Sequence, residues 1–188
     1  MKNIYLDSCI WINYVWQTQF SDKPKRKNPA TKLIEKLANS EHYQLTLTPY
    51  LISEISTHFR DNYILQKVMR DGFSYRDFNR EKKNYELDKE EIEKINQIII
   101  YIGGLESVNV LLPEDIKKEA LEEILDLETT YYFDFYDAIH FQTAKDKKCE
   151  YFITTDGPLR TSAARFNKAN KAKLECMPPS TLLRKLNR

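Results

Sequence analysis

An α/β fold with a mainly parallel, about five-stranded central sheet is predicted by two features: five short apolar runs, and a helical signal directly behind each. Parallel strands need a crossover connection, and a helix is the usual one, so this alternation marks the class. Length is the third constraint. The 188 residues suffice for one core-bearing domain and are slightly generous for a minimal one.

The first run is IYL at 4–6, followed by Asp7-Ser8 and the helically patterned CIWINYVW. LTL at 45–47 leads to Thr48, suited to a helix cap, Pro49, suited to a first helical position, and YLISEISTHF. VNVLL at 108–112 precedes Pro113-Glu114-Asp115 and an acidic-start helix, IKKEALEEIL. Next comes DFYDAIHFQTAK, where Asp134 reads as the N-cap and Asp137 falls in the first turn. YFITT at 151–155 ends at Asp156-Gly157-Pro158, and KLECM at 173–177 passes through Pro178-Pro179-Ser180 into TLLRKL.

Two stretches stand outside the alternation. Residues 21–29, SDKPKRKNP, read as a basic, proline-containing loop. Residues 60–105 read as a helical insertion of two polar helices joined near Gly72–Asn79, with Ile92, Ile95, Ile99 and Ile102 at helical spacing. The insertion is expected to pack on the sheet, which leaves residues 1–188 as one domain.

Composition narrows the classes. Apolar residues are 41 % and charged residues 30 %, which argues for a globular chain and against disorder. The net charge is +1, from 29 basic and 28 acidic side chains, so a polyanion must be held by local basic patches. Cys9, Cys149 and Cys176 form no CxxC pair, which fits a reducing cytoplasm. MKNIYLDSC meets an aspartate after three apolar residues and is not read as a signal segment. IIIYIGGL at 98–105 is too short to span a bilayer, so no membrane association is expected.

Carboxylates carry the chemical signal. In parallel α/β sheets, ligands bind outside the carboxyl ends of the strands. Asp7 and Asp156 follow two of the strand runs, Asp137 starts a helix, and Glu54 lies in the second turn of another. Two like charges 4 Å apart repel by about 4 kcal/mol at an effective dielectric near 20, so a cluster of these acids needs protons or cations. Oxygen-only ligands suit hard divalent ions, Mg²⁺ or Mn²⁺.

The stretches NIYLDSCIWI, TLTPYLISEI and DFYDAIHFQTAKDKKCEYFITTD resemble the signature segments of PIN-domain ribonucleases. The resemblance covers most of residues 1–59 and 107–188, and leaves the insertion between them unexplained. It implies a PIN-like three-layer fold and metal-dependent hydrolysis of RNA by an activated water. It also implies that Asp7, Glu54, Asp137 and Asp156 form the catalytic and metal-binding set, with Ser8 and Thr154 orienting a carboxylate or a water behind them; His140, one turn from Asp137, reads chiefly as a structural hydrogen-bonding histidine behind the same set. Many small proteins of this family are toxins of toxin–antitoxin pairs, so a cognate antitoxin and a homodimer follow as expected partners. RNA processing is the other role of the same scaffold, and a non-catalytic RNA- or protein-binding module is the non-enzymatic alternative.

Other residues are weighed against blander roles. Lys23, Lys25, Arg26 and Lys27, with Arg160 and Arg165 behind Asp156, are candidate phosphate contacts, although solubility explains any one of them equally well. Tyr14, Trp16 and Phe20 could stack on bases, but their helical spacing favours packing. Cys9 occupies the place where an aspartyl-phosphatase needs its second acid, and reads as a buried, inert thiol.

Overall fold

The structure, a computed structural model, describes residues 1–21, 26–111 and 120–187. All five expected strands are present: β1 (Lys2–Leu6), β2 (Tyr43–Leu47), β3 (Val108–Val110), β4 (Tyr151–Ile153) and β5 (Glu175–Met177). They form one sheet in the order β3-β2-β1-β4-β5, parallel at every junction. The expected α/β class is therefore what the chain adopts.

Between and behind the strands lie α1 (Ser8–Val15), α2 (Pro29–Ala38), α3 (Pro49–Arg70), α4 (Phe78–Glu81), α5 (Lys89–Gly103), α6 (Ala120–Tyr131), α7 (Phe135–Asp146), α8 (Gly157–Asn170) and α9 (Pro179–Leu186). Local chemistry sets their starts. Thr48 caps α3 by accepting from the Leu51 amide, Asn28 caps α2, and Asp134 caps α7 as its sequence context predicts. Pro113–Asp115 and the first residues of the helix read at 116–125 lie outside the described residues, as do Lys23 and Lys25.

β1 is the centre of the sheet. Tyr5 turns toward α7, where its hydroxyl meets His140, and the period of two sends Ile4 and Leu6 to the opposite face. All three are fully buried, so both faces of the sheet are covered. Helices α1, α2, α3 and α9 pack among themselves, as do α6, α7 and α8.

The insertion departs from its expected boundary. Residue 60 falls inside α3, which runs 22 residues without a break to Arg70. Ile55, Phe59, Ile64 and Val68 continue its buried stripe past that point, so packing gives the helix no reason to stop. Gly72, at φ +90°, supplies the left-handed residue just beyond the helix end. A connection containing α4 and two short 3₁₀ turns then leads to α5. There Ile95, Ile98 and Ile102 are buried while Ile92 is half exposed, so the buried face is rotated from the predicted one. Lys67 ties the two long helices together through Glu91, 2.5 Å away.

The strand order has a functional consequence. Successive crossovers run outward from β1 to β3 on one side, and β4 and β5 add on the other. The order therefore reverses between β1 and β4, and the crevice at their carboxyl ends is the switch point where open α/β sheets bind ligands.

Candidate active site

Asp7 stands at that crevice. The Leu6–Ile153 register aligns the ends of β1 and β4, and the Asp7 amide donates to the Ile153 carbonyl at 3.0 Å. Asp7 is 6 % exposed, and its carboxylate is divided between two tasks. Oδ1 accepts the Ser8 amide at 2.7 Å and caps α1, while Oδ2 accepts the Thr154 hydroxyl at 2.6 Å. Thr154, fully buried, also accepts the Asp156 amide at 2.9 Å, so one hydroxyl fixes both strand-end aspartates. Asp156 is exposed and caps α8 through Oδ1, which accepts the Leu159 amide at 2.8 Å.

Asp137, in the first turn of α7, lies near enough to feel the charges of the other two. Partial burial, together with the charges of Asp7, Asp156 and Asp134, pushes its carboxyl up to about 7. Among the described residues no hydrogen bond to this carboxylate offsets that cost.

Glu54 is held differently. Its Oε2 lies 3.0 Å from Nε2 of His140, whose Nδ1 lies 2.7 Å from the Tyr5 hydroxyl. Thr48 adds a longer contact to that hydroxyl at 3.4 Å. Burial works against the Glu54 charge, yet the His140 contact and the Ser8 hydroxyl hold its carboxyl below the usual range. Glu54 is thus ionised and can only accept, which places a proton on His140 Nε2. Burial pushes the Tyr5 hydroxyl well above its ordinary pKa, so it keeps its proton where it meets Nδ1. Ser8 also approaches Asp7 Oδ1 at 3.5 Å, and so stands between the two acids.

The structure therefore brings Asp7, Asp137 and Asp156 into one electrostatic group, with Ser8 and Thr154 behind them. Glu54 joins through Ser8 and is anchored by His140. Sequence reading placed Tyr5 in a strand and Thr48 at a helix cap, and gave neither a part in the site. Tyr5 sits at the centre of a strand and looks like core; the signal that could have found it is a lone phenol in an otherwise aliphatic run.

The donor set fits a divalent ion in chemistry: oxygen ligands, mutual repulsion and an unpaired Asp137 carboxyl. Among the described residues, no three acidic, histidine or cysteine side chains already stand together as an ion-holding group. The carboxylates are gathered but not closed around a point.

Cys9 is half-buried, with Sγ 3.2 Å from Asp7 Oδ2 and 3.2 Å from the Thr155 hydroxyl. Burial and the Asp7 charge push its thiol up to about 11, so it carries no nucleophilic thiolate near neutral pH. Arg160 is half-buried and donates to the Thr154 carbonyl at 3.3 Å, which sets a cation beside the crevice. Arg165 is exposed with its guanidinium 5.8 Å from the Tyr132 ring centre. Arg26 is exposed, and Lys27 is committed to Glu35 at 2.6 Å. Among the described residues no helix is long and apolar enough to cross a membrane.

No protein-family model matches the chain. No curated protein matches it at a significant level. Among solved structures it is similar to the crystal structure of VapC20 from Mycobacterium tuberculosis, described as a sarcin–ricin loop cleaving toxin. That likeness extends over 86 % of this chain and 94 % of the other, at 15 % identity and a TM-score of 0.46.

Proposed function

We propose that this chain is a ribonuclease dependent on Mg²⁺ or Mn²⁺, hydrolysing phosphodiester bonds at the β1/β4 crevice. The observation that carries the reading is Asp137: a half-buried carboxyl without a hydrogen bond among the described residues, set against the charges of Asp7 and Asp156. A protein gains nothing in stability from such a grouping, and a cation relieves it. Asp7, Asp137 and Asp156 would hold the ion, and Glu54, fixed by His140, would reach it directly or through water. An ion bound there lowers the pKa of a water and offsets charge on the phosphate under attack.

The chain's own groups do the rest. Thr154 and Ser8 hold the carboxylates in place, and Tyr5 and His140 keep Glu54 ionised and aimed. Arg160 and Arg165, with Arg26, Lys27, Lys23 and Lys25, would grip phosphates beside the cut. In this reading residues 1–188 act as one domain, in the cytoplasm, as a toxin restrained by a cognate antitoxin and assembled as a homodimer.

A second reading has its own observation. Asp7 and Asp156 each spend an oxygen on a helix cap, Glu54 is engaged by His140, and no preformed ligand group exists among the described residues. This suits a non-catalytic RNA- or protein-binding module. The deciding experiment incubates the purified chain with a mixed RNA pool, with Mg²⁺ or Mn²⁺ or with chelator, beside Asp7→Asn. Asparagine keeps the helix cap, so the variant should fold and fail to cleave. Cleavage that survives both chelator and Asp7→Asn, or no cleavage at all, ends the nuclease reading.

A further inference from the structure

The helical segment after β1 does not end at Val15. It widens into a π-helical turn, Trp16–Phe20, an irregularity that tends to mark functional sites. The turn sets two aromatic rings against α3. Trp16 and Phe20 lie 4.9 Å apart between centroids, and Phe20 is nearly parallel to Phe59, at 5.6 Å and 19°. The indole of Trp16 is fixed in place because its Nε1 donates to His58 Nε2 at 3.1 Å.

These rings wall a cavity of about 370 Å³, within the range of small-molecule sites. Tyr63, Asn62, Gln66 and Lys94 complete its lining. The Tyr63 hydroxyl is buried and has no partner among the described residues. Gln66 donates to the Asn62 side-chain oxygen at 2.9 Å, which leaves the Asn62 amide and the Gln66 carbonyl to face a ligand. Lys94 supplies a positive charge, shared with Glu90 at 2.7 Å. Aromatic faces, paired carboxamides and a cation are the groups that bind an unpaired base: rings stack on its face, and amides match its donor–acceptor edge.

Position links this cavity to the acidic crevice. Glu54, His58, Asn62 and Gln66 recur every fourth residue along α3, so they share one slowly winding stripe. At about 1.5 Å per residue, Tyr63 lies roughly 13 Å along the helix from Glu54.

We propose that this cavity holds an unpaired nucleobase of the RNA, a few nucleotides from the bond cut at the crevice. The inference rests on the nuclease reading and adds a specificity site to it. A protein partner's apolar side chain is the competing occupant.

The test uses the full chain in chelator, where no cleavage occurs, and follows tryptophan fluorescence with single-stranded RNA hexamers. Trp11, the other tryptophan, is fully buried and serves as a silent background. Hexamers should quench saturably, and hexamers with abasic positions should not. Phe20→Ala, at a residue 41 % exposed, should weaken binding about five- to hundredfold with an unchanged circular dichroism spectrum. Gln66→Ala, at an exposed residue, checks the edge contacts independently. With Mg²⁺ restored, Phe20→Ala should raise KM for long single strands and leave kcat unaltered. Equal binding by wild type and both variants, or by abasic and intact hexamers, overturns the proposal while leaving cleavage as it stands. Phe20-dependent base binding in a chain that cleaves no RNA removes the nuclease reading and keeps the cavity.

Discussion

His140 and Glu54, 86 positions apart, meet at 3.0 Å and join α7 to α3 beside the crevice. The imidazole is 1 % exposed on its side chain and its other nitrogen is engaged by Tyr5, so this polar chain runs from the buried core to the partly exposed Glu54 at the crevice. Such chains stabilise a fold only when every member is satisfied. Its importance lies in what removal leaves behind.

His140→Ala leaves the buried Tyr5 hydroxyl only its longer Thr48 contact, opens a cavity, and removes the His140 contact from Glu54. The expected loss is about 2–5 kcal/mol in urea unfolding. Tyr5→Phe keeps the ring stacked on Phe152, 5.2 Å away, and loses only the hydroxyl, for about 1–2 kcal/mol. A His140→Ala variant as stable as wild type would show that the chain contributes nothing.

Thr154→Val is close to isosteric, yet it deletes a donor to Asp7 and an acceptor for the Asp156 amide. Positioning groups behind metal ligands are worth about 10–100-fold in affinity. Mn²⁺ titrated calorimetrically into this variant should bind at least tenfold more weakly than into wild type. Equal affinity would assign Thr154 to the fold alone.

Cys9 offers a simple chemical check. With its thiol pushed up to about 11, it should stay unmodified by a disulfide reagent at pH 7.5 in the folded chain. Cys9→Ala should therefore leave the slow labelling rate unchanged and leave any RNA cleavage intact. A fast phase lost with Cys9 would show an activated thiol beside Asp7.

What the sequence disclosed was local. Runs such as IYL and YFI announced strands because buried parallel strands are continuously apolar, and Thr48-Pro49 and Asp134 announced helix starts through their caps. The sheet order was not legible: nothing near Asp7 states that β4 and not β3 lies beside β1. The same blindness hid the Tyr5–His140–Glu54 chain, since its members come from three elements that meet only in the tertiary fold. The turn near Gly72 was read correctly, but the continuity of α3 through residue 60 was not, because residues 56–70 look polar overall while Phe59, Ile64 and Val68 maintain a thin buried stripe. Asp156 shows the opposite limit: one residue both caps a helix and presses its charge on Asp137, and sequence context cannot separate the two roles.

Asp137 ties stability to pH, with a definite sign. Its folded-state carboxyl titrates near 7, above the 3.8 of an unperturbed aspartate. Below 3.8 both folded and unfolded chains carry the proton, and the group costs nothing. As pH rises toward 7 the unfolded chain ionises freely while the folded one holds its proton, so stability falls; beyond 7 the penalty is constant. In chelator, Asp137→Asn should therefore melt higher than wild type at pH 8, with the advantage shrinking steadily toward pH 4. Adding Mn²⁺ at pH 8 should narrow that gap. The ion binds only the folded wild type, and at 100 times its dissociation constant it adds about 2.7 kcal/mol that the asparagine variant lacks. Melting curves at four pH values, with and without Mn²⁺, read both effects without any RNA. A variant that gains nothing at pH 8 would mean that neither burial nor the neighbouring aspartates press on the Asp137 charge, and the need for a counter-ion would vanish with that pressure.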